Sequence, residues 1–263
     1  MLEETIPLKQ KINSKLDFSL TPERYNINQL LKGFEHNLCR EPLSLTKLKL
    51  FFSTLWAFYK ETPTGILALS LRLADQWMDI DEWEATSIAS YLFHADIHEF
   101  GLENMEVGAN LTHHQLFLRT CSYFNITRND LQNPQYILNG GRYIGELSYQ
   151  YYREYSIGEA LGFHLASEVT SEMEFNAFLN GFLAHKDYFG IQSKHDESME
   201  LFFIHSVVEP EHSDNSEKLI EIYSRQFPDN ISLIQKGFDA YMEGYYRLFE
   251  DLNKNLFETK NSN

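Results

Sequence analysis

The chain has 263 residues, a formal net charge of −16 at pH 7 and 43% hydrophobic residues. This length and apolar content suffice for a domain with a sizeable buried core, and they exclude a mainly disordered chain. The negative charge disfavours nucleic-acid phosphates as partners, and two cysteines without metal-binding spacing indicate a reducing cytoplasm.

Helical periodicity dominates the sequence from residue 27 onwards, whereas strand signals are scarce. Prolines divide the pattern, because Pro42 precedes one predicted helix, Pro63 opens the next and Pro228 precedes the last. A Gly-Gly pair predicts a loop over 132–145. The predicted helices, in chain order, cover residues 27–39, 43–60, 63–78, 82–100, 111–124, 146–169, 171–188, 194–211, 215–226 and 230–255.

These elements predict an all-α single domain over residues 23–255, with an N-terminal tail at 1–22 and a C-terminal tail at 256–263. The first residues, MLEETIPLKQK, lack the apolar segment of a secretory signal. Every apolar run is too short, or too often interrupted by charge, to span a membrane. We therefore expect a cytoplasmic protein with neither membrane nor nucleic acid as a partner.

The stretch FIHSVVEPEHS at 203–213 places His205, Glu209 and His212 at relative positions 0, +4 and +7. In an α-helix these side chains fall within about 60° of arc. The flanking residues are apolar, so the helix is predicted to be buried, and buried imidazoles and carboxylates need partners. The pattern is moderately specific for a metal-binding face, and by itself it leaves open a helix with an ordinary polar side.

Three further polar residues fall on apolar faces of predicted helices. Glu168 follows Leu161 and Leu165 on one face, and Glu99 occupies the corresponding position of an earlier helix. His113 opens a third helix whose other face enters the core. Alternatives are a helix end that reaches solvent for Glu99 and an ordinary core histidine for His113. Considered together, carboxylates and imidazoles on four apolar helices are what a bundle needs to hold two metal ions, with iron or manganese favoured over structural zinc.

Four motifs in this order resemble the heme-oxygenase-like di-iron oxidases, also called iron-containing redox enzymes, which share their fold with thiaminase II and the PQQ-synthesis oxidase. The resemblance spans about residues 40–250. The motifs are HEFG at 98–101, HHQLF at 113–117, ALGFHLASE at 160–168 and HSVVEPEH at 205–212.

The resemblance implies a heme-oxygenase-like helical bundle that holds two Fe²⁺ ions, with manganese as the alternative metal. Glu168 is the implied bridging and catalytic carboxylate. The interval from Glu99 to His113 is longer than usual in the family, so Glu103 and Glu106 are alternatives to Glu99 as the first ligand. The implied metal ligands are Glu99, His113, Glu168, His205, Glu209 and His212.

The activity implied by the resemblance is an O2-dependent oxidation through a peroxo-diiron species. Its small organic substrate is an amino acid or fatty acid derivative, and the outcomes include desaturation, C–C cleavage and N-oxygenation. The resemblance also implies an external electron donor, and whether the protein forms a homodimer is left open. The alternatives are a metal-free hydrolase similar to thiaminase II, for which Cys121 or paired glutamates would act, and a non-enzymatic helical partner-binding protein.

Candidate substrate contacts are aromatic residues and one cation. Arg153 could receive a substrate carboxylate, or could form a surface ion pair instead. The aromatic and imidazole candidates, for which plain core positions are the alternative, are Tyr91, Phe163, His164 and Tyr188.

Overall fold

The computed structural model describes residues 26–102 and 111–258, and only the backbone of residues 208–210. Within these ranges the chain is helical, without β-strands, which confirms the all-α prediction. No helix of the described part combines the length and apolar character needed to cross a membrane. The predicted N-terminal tail lies outside the described residues, and the last helix runs into the predicted C-terminal tail as far as Phe257.

The described residues form eleven α-helices and two short 3-10 helices, at Pro134–Tyr136 and Pro228–Asn230. The α-helices are α1 (Ile27–Arg40), α2 (Leu45–Tyr59), α3 (Thr62–Met78), α4 (Ala85–Glu99), α5 (His113–Tyr123), α6 (Arg128–Gln132), α7 (Asn139–Arg153), α8 (Ile157–Ala184), α9 (Lys186–Phe189), α10 (Glu200–Gln226) and α11 (Ile231–Phe257).

The predicted boundary between helices at residue 170 is wrong, because α8 continues through it. The Thr170 and Ser171 side chains bond back to carbonyls of the preceding turn, so both hydroxyls are satisfied without ending the helix. The actual break falls at 154–156. There Ser156 caps α8 by accepting from the backbone of Glu159, whose side chain returns to the Ser156 backbone.

The predicted loop at 132–145 is wrong in its second half, where α7 begins. Gly140 and Gly141 lie inside this helix, and each allows a close backbone approach. A Cβ on Gly140 would lie 2.6 Å from the Arg247 carbonyl oxygen, and one on Gly141 would lie 2.6 Å from that of Thr54. The predicted break between 211 and 215 is also absent, because α10 runs unbroken from Glu200 to Gln226 through Pro210.

Helix α8 is the centre of the bundle, and it packs against α11, α10 and α1. Most of its residues are buried on every side, which is typical of a helix enclosed by others. Gly162 of α8 and Gly237 of α11 make the tightest crossing, since a Cβ on either would come within 1.8 Å of a carbonyl oxygen of the other helix. This crossing fixes the position of α8 along its axis, and with it the position of its polar residues relative to the neighbouring helices.

Candidate metal centre

The ends of two helices bring Glu99 and His113 together although they are 14 residues apart in the sequence. Glu99 is the last residue of α4 and His113 is the first of α5. After α4 the chain turns at Gly101, whose φ is +65°, and a Cβ there would lie 2.6 Å from the Leu111 carbonyl. Thr112 then starts α5 with a capping box.

Glu99, His113 and His205 form the first cluster, which we call the Glu99 triad. One ligand atom from each lies within 4.8 Å of the others. Oε2 of Glu99 is 3.0 Å from Nδ1 of His113, and the His113 and His205 rings are 4.3 Å apart between centroids. Two imidazoles and one carboxylate that leave positions open are the ligand set typical of non-heme Fe(II) oxygenases.

His205 is held in one orientation by its own helix. Its Nδ1 lies 2.8 Å from the carbonyl oxygen of Leu201, one turn earlier, so Nδ1 donates and Nε2 is the acceptor nitrogen. Phe175 stacks on the imidazole at 3.8 Å between centroids. A fixed tautomer and ring plane are what a metal-binding histidine requires of its surroundings.

His94, His98 and His212 form a second cluster, the His94 triad, again with one nitrogen of each within 4.8 Å of the others. His94 and His98 are one turn apart on α4, and Nδ1 of His98 lies 2.6 Å from Nε2 of His212 on α10. His94 is partly exposed and its Nε2 lies 3.6 Å from Glu211. His98 and His212 are buried.

Glu168 projects from α8 onto the His94 triad. Its Oε2 lies 3.4 Å from Nδ1 of His212, and its Oε1 lies 3.5 Å from Nδ1 of His164. His164, one turn earlier on α8, also lies 3.4 Å from the hydroxyl of Tyr152. The carboxylate is thus held between one member of the triad and one supporting histidine.

The surroundings of Glu99 and His205 favour an ionised carboxylate and a neutral imidazole. Burial alone would raise the pKa of Glu99, but His113, His205 and His212 lower it to about 2. Burial and the neighbouring His113 lower the pKa of His205 to about 3. Both groups are therefore in the protonation state in which they bind a metal ion at neutral pH.

The pKa of Asp96, which lies one turn before Glu99, is shifted in the opposite direction. Burial and the nearby Glu99 charge raise its pKa to about 8, against a weak hydrogen bond from Ser70. At neutral pH, and with no cation bound, Asp96 is therefore mainly the uncharged acid.

A narrow cavity of about 50 Å³ adjoins both clusters. Space of this size holds a few water molecules. Aromatic rings form much of its wall, and Glu174 lies on the same wall as Glu168 along α8. Four members of the two clusters and the adjacent Glu168 line the cavity; the four are Glu99, His113, His205 and His212.

The structure brings together five of the six residues predicted as ligands. The sixth is Glu209, whose side chain lies outside the described part. Glu103 and Glu106 also lie outside the described residues, so they stay alternatives to Glu99. The sequence interpretation missed His94 and His98, although the H-x-x-x-H spacing at 94–98 places both on one face of α4.

The predicted substrate contacts are not part of the cavity wall. Tyr188 is 66% exposed, and Tyr91, Phe163 and His164 do not line the cavity. Arg153 instead forms the ion pair that was its alternative, with a guanidinium nitrogen 3.6 Å from a carboxylate oxygen of Glu61. The aromatic and imidazole candidates rest on helical spacing, which also describes ordinary core positions.

The chain matches no family model and no curated protein. Among solved structures it is similar to a CADD-like protein of unknown function from Nostoc punctiforme, with a TM-score of 0.59 and 13% sequence identity. The similarity covers 95% of this chain and 97% of that protein. At this identity the match establishes a shared fold and leaves the chemistry to the residues of the site.

Proposed function

We propose that this protein is a non-heme di-iron oxidase with a heme-oxygenase-like fold, which uses O2 to oxidise a small organic substrate. The observation that carries the proposal is the Glu99 triad, two imidazoles and one carboxylate beside a mostly buried cavity. The similarity in fold to a CADD-like protein is compatible with it.

The residues fit two divalent ions. The Glu99 triad would hold one ion, and the His94 triad would hold the second. Glu168, which already contacts His212, would supply the carboxylate shared between them. Glu209 stays a predicted ligand of the second ion, since its position on α10 lies between His205 and His212. Iron is preferred over structural zinc because no thiolate belongs to either cluster.

Bound ferrous ions would supply the electrons and the open coordination positions at which O2 is activated. The protein's own part is to hold the ligands and to keep water out. His205 and Glu168 are each supported by a second contact, to the Leu201 carbonyl and to His164. Phe117 and Phe175 of the cavity wall are apolar, so they would limit the access of water to the clusters.

The metal-free hydrolase has less support. Cys121 is buried in the core, burial raises its pKa, and it does not line the cavity. A hydrolase with paired glutamates would use Glu168, which leaves the two clusters of imidazoles without a role.

The experiment is anaerobic loading with Fe²⁺ followed by rapid mixing with O2. The wild-type protein is expected to develop a transient visible absorption band and to consume O2. Glu168→Gln should lose the band, whereas Glu172→Gln, an exposed position on the same helix, should keep it. An identical response from wild type and Glu168→Gln, or no response from the wild type, would contradict the proposal.

A further inference from the structure

A second polar group lies in the cavity wall and has no part in either cluster. Glu174 of α8 is 1% exposed. Its Oε1 accepts a hydrogen bond from the hydroxyl of Tyr59 on α2, and its Oε2 accepts one from Tyr245 on α11 at 2.8 Å. Each carboxylate oxygen can accept more than one hydrogen bond, so capacity for a further donor remains.

Glu174 and the carboxylate of the candidate metal centre project from the same helix into one cavity. Glu174 follows Glu168 by six residues on one helix, which corresponds to a rise of about 9 Å. Both carboxylates line the same cavity. Some residues of the cavity wall are only partly buried, and they mark its opening. They include Trp56, Tyr59 and Ser171.

The residues at the Glu174 end of the cavity favour a cation. Glu174 is the one carboxyl group of the described cavity wall that neither metal ion would use, and among the described residues no lysine or arginine lines the cavity. Arg153, the candidate partner of a substrate carboxylate, is paired with Glu61. Aromatic rings surround the space, and their faces attract organic cations, particularly when water is excluded.

We infer that the Glu174 end of the cavity, formed by Glu174, Tyr59, Ser171 and Tyr241, binds the ammonium group of an organic amine. The remainder of the amine extends between the aromatic rings toward the metal centre. The inference deepens the proposed function by assigning its substrate class, and it depends on that function only for the chemistry at the other end of the cavity.

The contrasting interpretation is a carboxyl group that only links α2, α8 and α11 through its two tyrosines. Both interpretations predict that Glu174 is buried, but they differ on ligands. A structural carboxyl has no preference for an amine over a molecule of the same length, whereas an ammonium site prefers the amine because the bound cation stabilises the ionised form of Glu174 in a dry environment.

The experiment measures binding of ethylamine, ethanol and acetate to the full-length protein by calorimetry, without metal and with Fe²⁺ under anaerobic conditions. The amine is expected to bind at least tenfold more tightly than the alcohol, and acetate is expected not to bind in the metal-free protein. Glu174→Gln, which retains an acceptor for the tyrosines, should weaken amine binding at least tenfold. Glu172→Gln should leave it unchanged.

Equal binding of the amine and the alcohol to the wild type would overturn the inference, and this comparison needs no variant to fold. Equal amine binding by wild type and a folded Glu174→Gln would overturn it too. The iron content of the same samples separates the two proposals. Amine selectivity in a protein that binds no iron would contradict the oxidase alone, and two ions per chain without amine selectivity would contradict the ammonium site alone.

Discussion

Nδ1 of His98 lies 2.6 Å from Nε2 of His212, so imidazoles of α4 and α10 meet directly inside the bundle. His98 is followed in the chain by Glu99, and adjacent residues of a helix point about 100° apart. The end of α4 therefore supplies the His94 triad with His98 and the Glu99 triad with Glu99. The two clusters share two helices, because α10 likewise contributes His205 and His212.

The contact between His98 and His212 leads to a prediction about metal stoichiometry. His98→Ala should lower the bound iron from about two ions per chain to about one, because the Glu99 triad stays intact. Metal content after anaerobic loading and desalting measures this. His36→Ala, an exposed histidine on α1, serves as the control. Retention of both ions by His98→Ala would remove His98 from the ligand set.

The support that His164 gives to Glu168 predicts a change in affinity rather than in stoichiometry. His164→Phe removes the group 3.5 Å from Oε1 of Glu168 and should weaken iron binding by about 10–100-fold. Competition with a chelator of known affinity measures the change. Tyr152→Phe, which alters only the hydroxyl near His164, should have a smaller effect. Unchanged affinity in His164→Phe would assign that histidine to core packing alone.

Glu174 predicts an unusual dependence of stability on pH. Burial raises its pKa to about 7 against the two tyrosine hydrogen bonds, so the folded protein binds this proton more tightly than the unfolded chain. The associated stability is present below about pH 4.5 and is lost as pH rises through about 7. The titratable groups that face Glu174 are Tyr59, Tyr241 and Tyr245.

Denaturant unfolding of the metal-free protein at several pH values tests this. Between pH 4.5 and 8, the free energy of unfolding should fall less in Glu174→Gln than in the wild type. The difference between the two decreases should be up to roughly 3 kcal/mol. Glu172→Gln should follow the wild type. Parallel curves for wild type and Glu174→Gln would show that Glu174 has an ordinary pKa in the folded protein.

The close crossing of α8 and α11 predicts opposite effects of two glycine substitutions. Gly162→Ala places a Cβ 1.8 Å from the Ile234 carbonyl oxygen, and it should destabilise the fold by roughly 1–3 kcal/mol or more. Gly33→Ala on α1 has no atom within 4 Å of the new methyl group, so it should stabilise by about 0.5–1 kcal/mol. Thermal and denaturant unfolding measure both, and a neutral Gly162→Ala would contradict the described packing.

Much of the fold could be predicted from local patterns, and the errors share a physical cause. The Gly-Gly pair at 140–141 suggested a loop because glycine permits unusual backbone angles, whereas here it permits close helix packing. Such packing depends on residues far along the chain, Thr54 and Arg247, which periodicity does not reveal. The start of α8 did carry a local signal, because Ser156 and Glu159 have the spacing of a capping box.

The candidate site was predictable in its parts and incomplete in its arrangement. His205 and His212 stand at helical spacing, and the structure puts them on separate clusters rather than on one ion. The partner of His212 on α4, His98, depends on how two distant helices cross, so its role could not be read from spacing alone. The position of Glu174 in the cavity depends in the same way on three helices.

The most direct test of the account is the number of ferrous ions held by the wild-type protein and by His205→Ala, measured by anaerobic titration and elemental analysis. The di-metal centre predicts about two ions per wild-type chain, and about one or fewer in His205→Ala because the Glu99 triad is broken. A wild-type protein that binds no iron, or a folded His205→Ala that binds as much as the wild type, would contradict it.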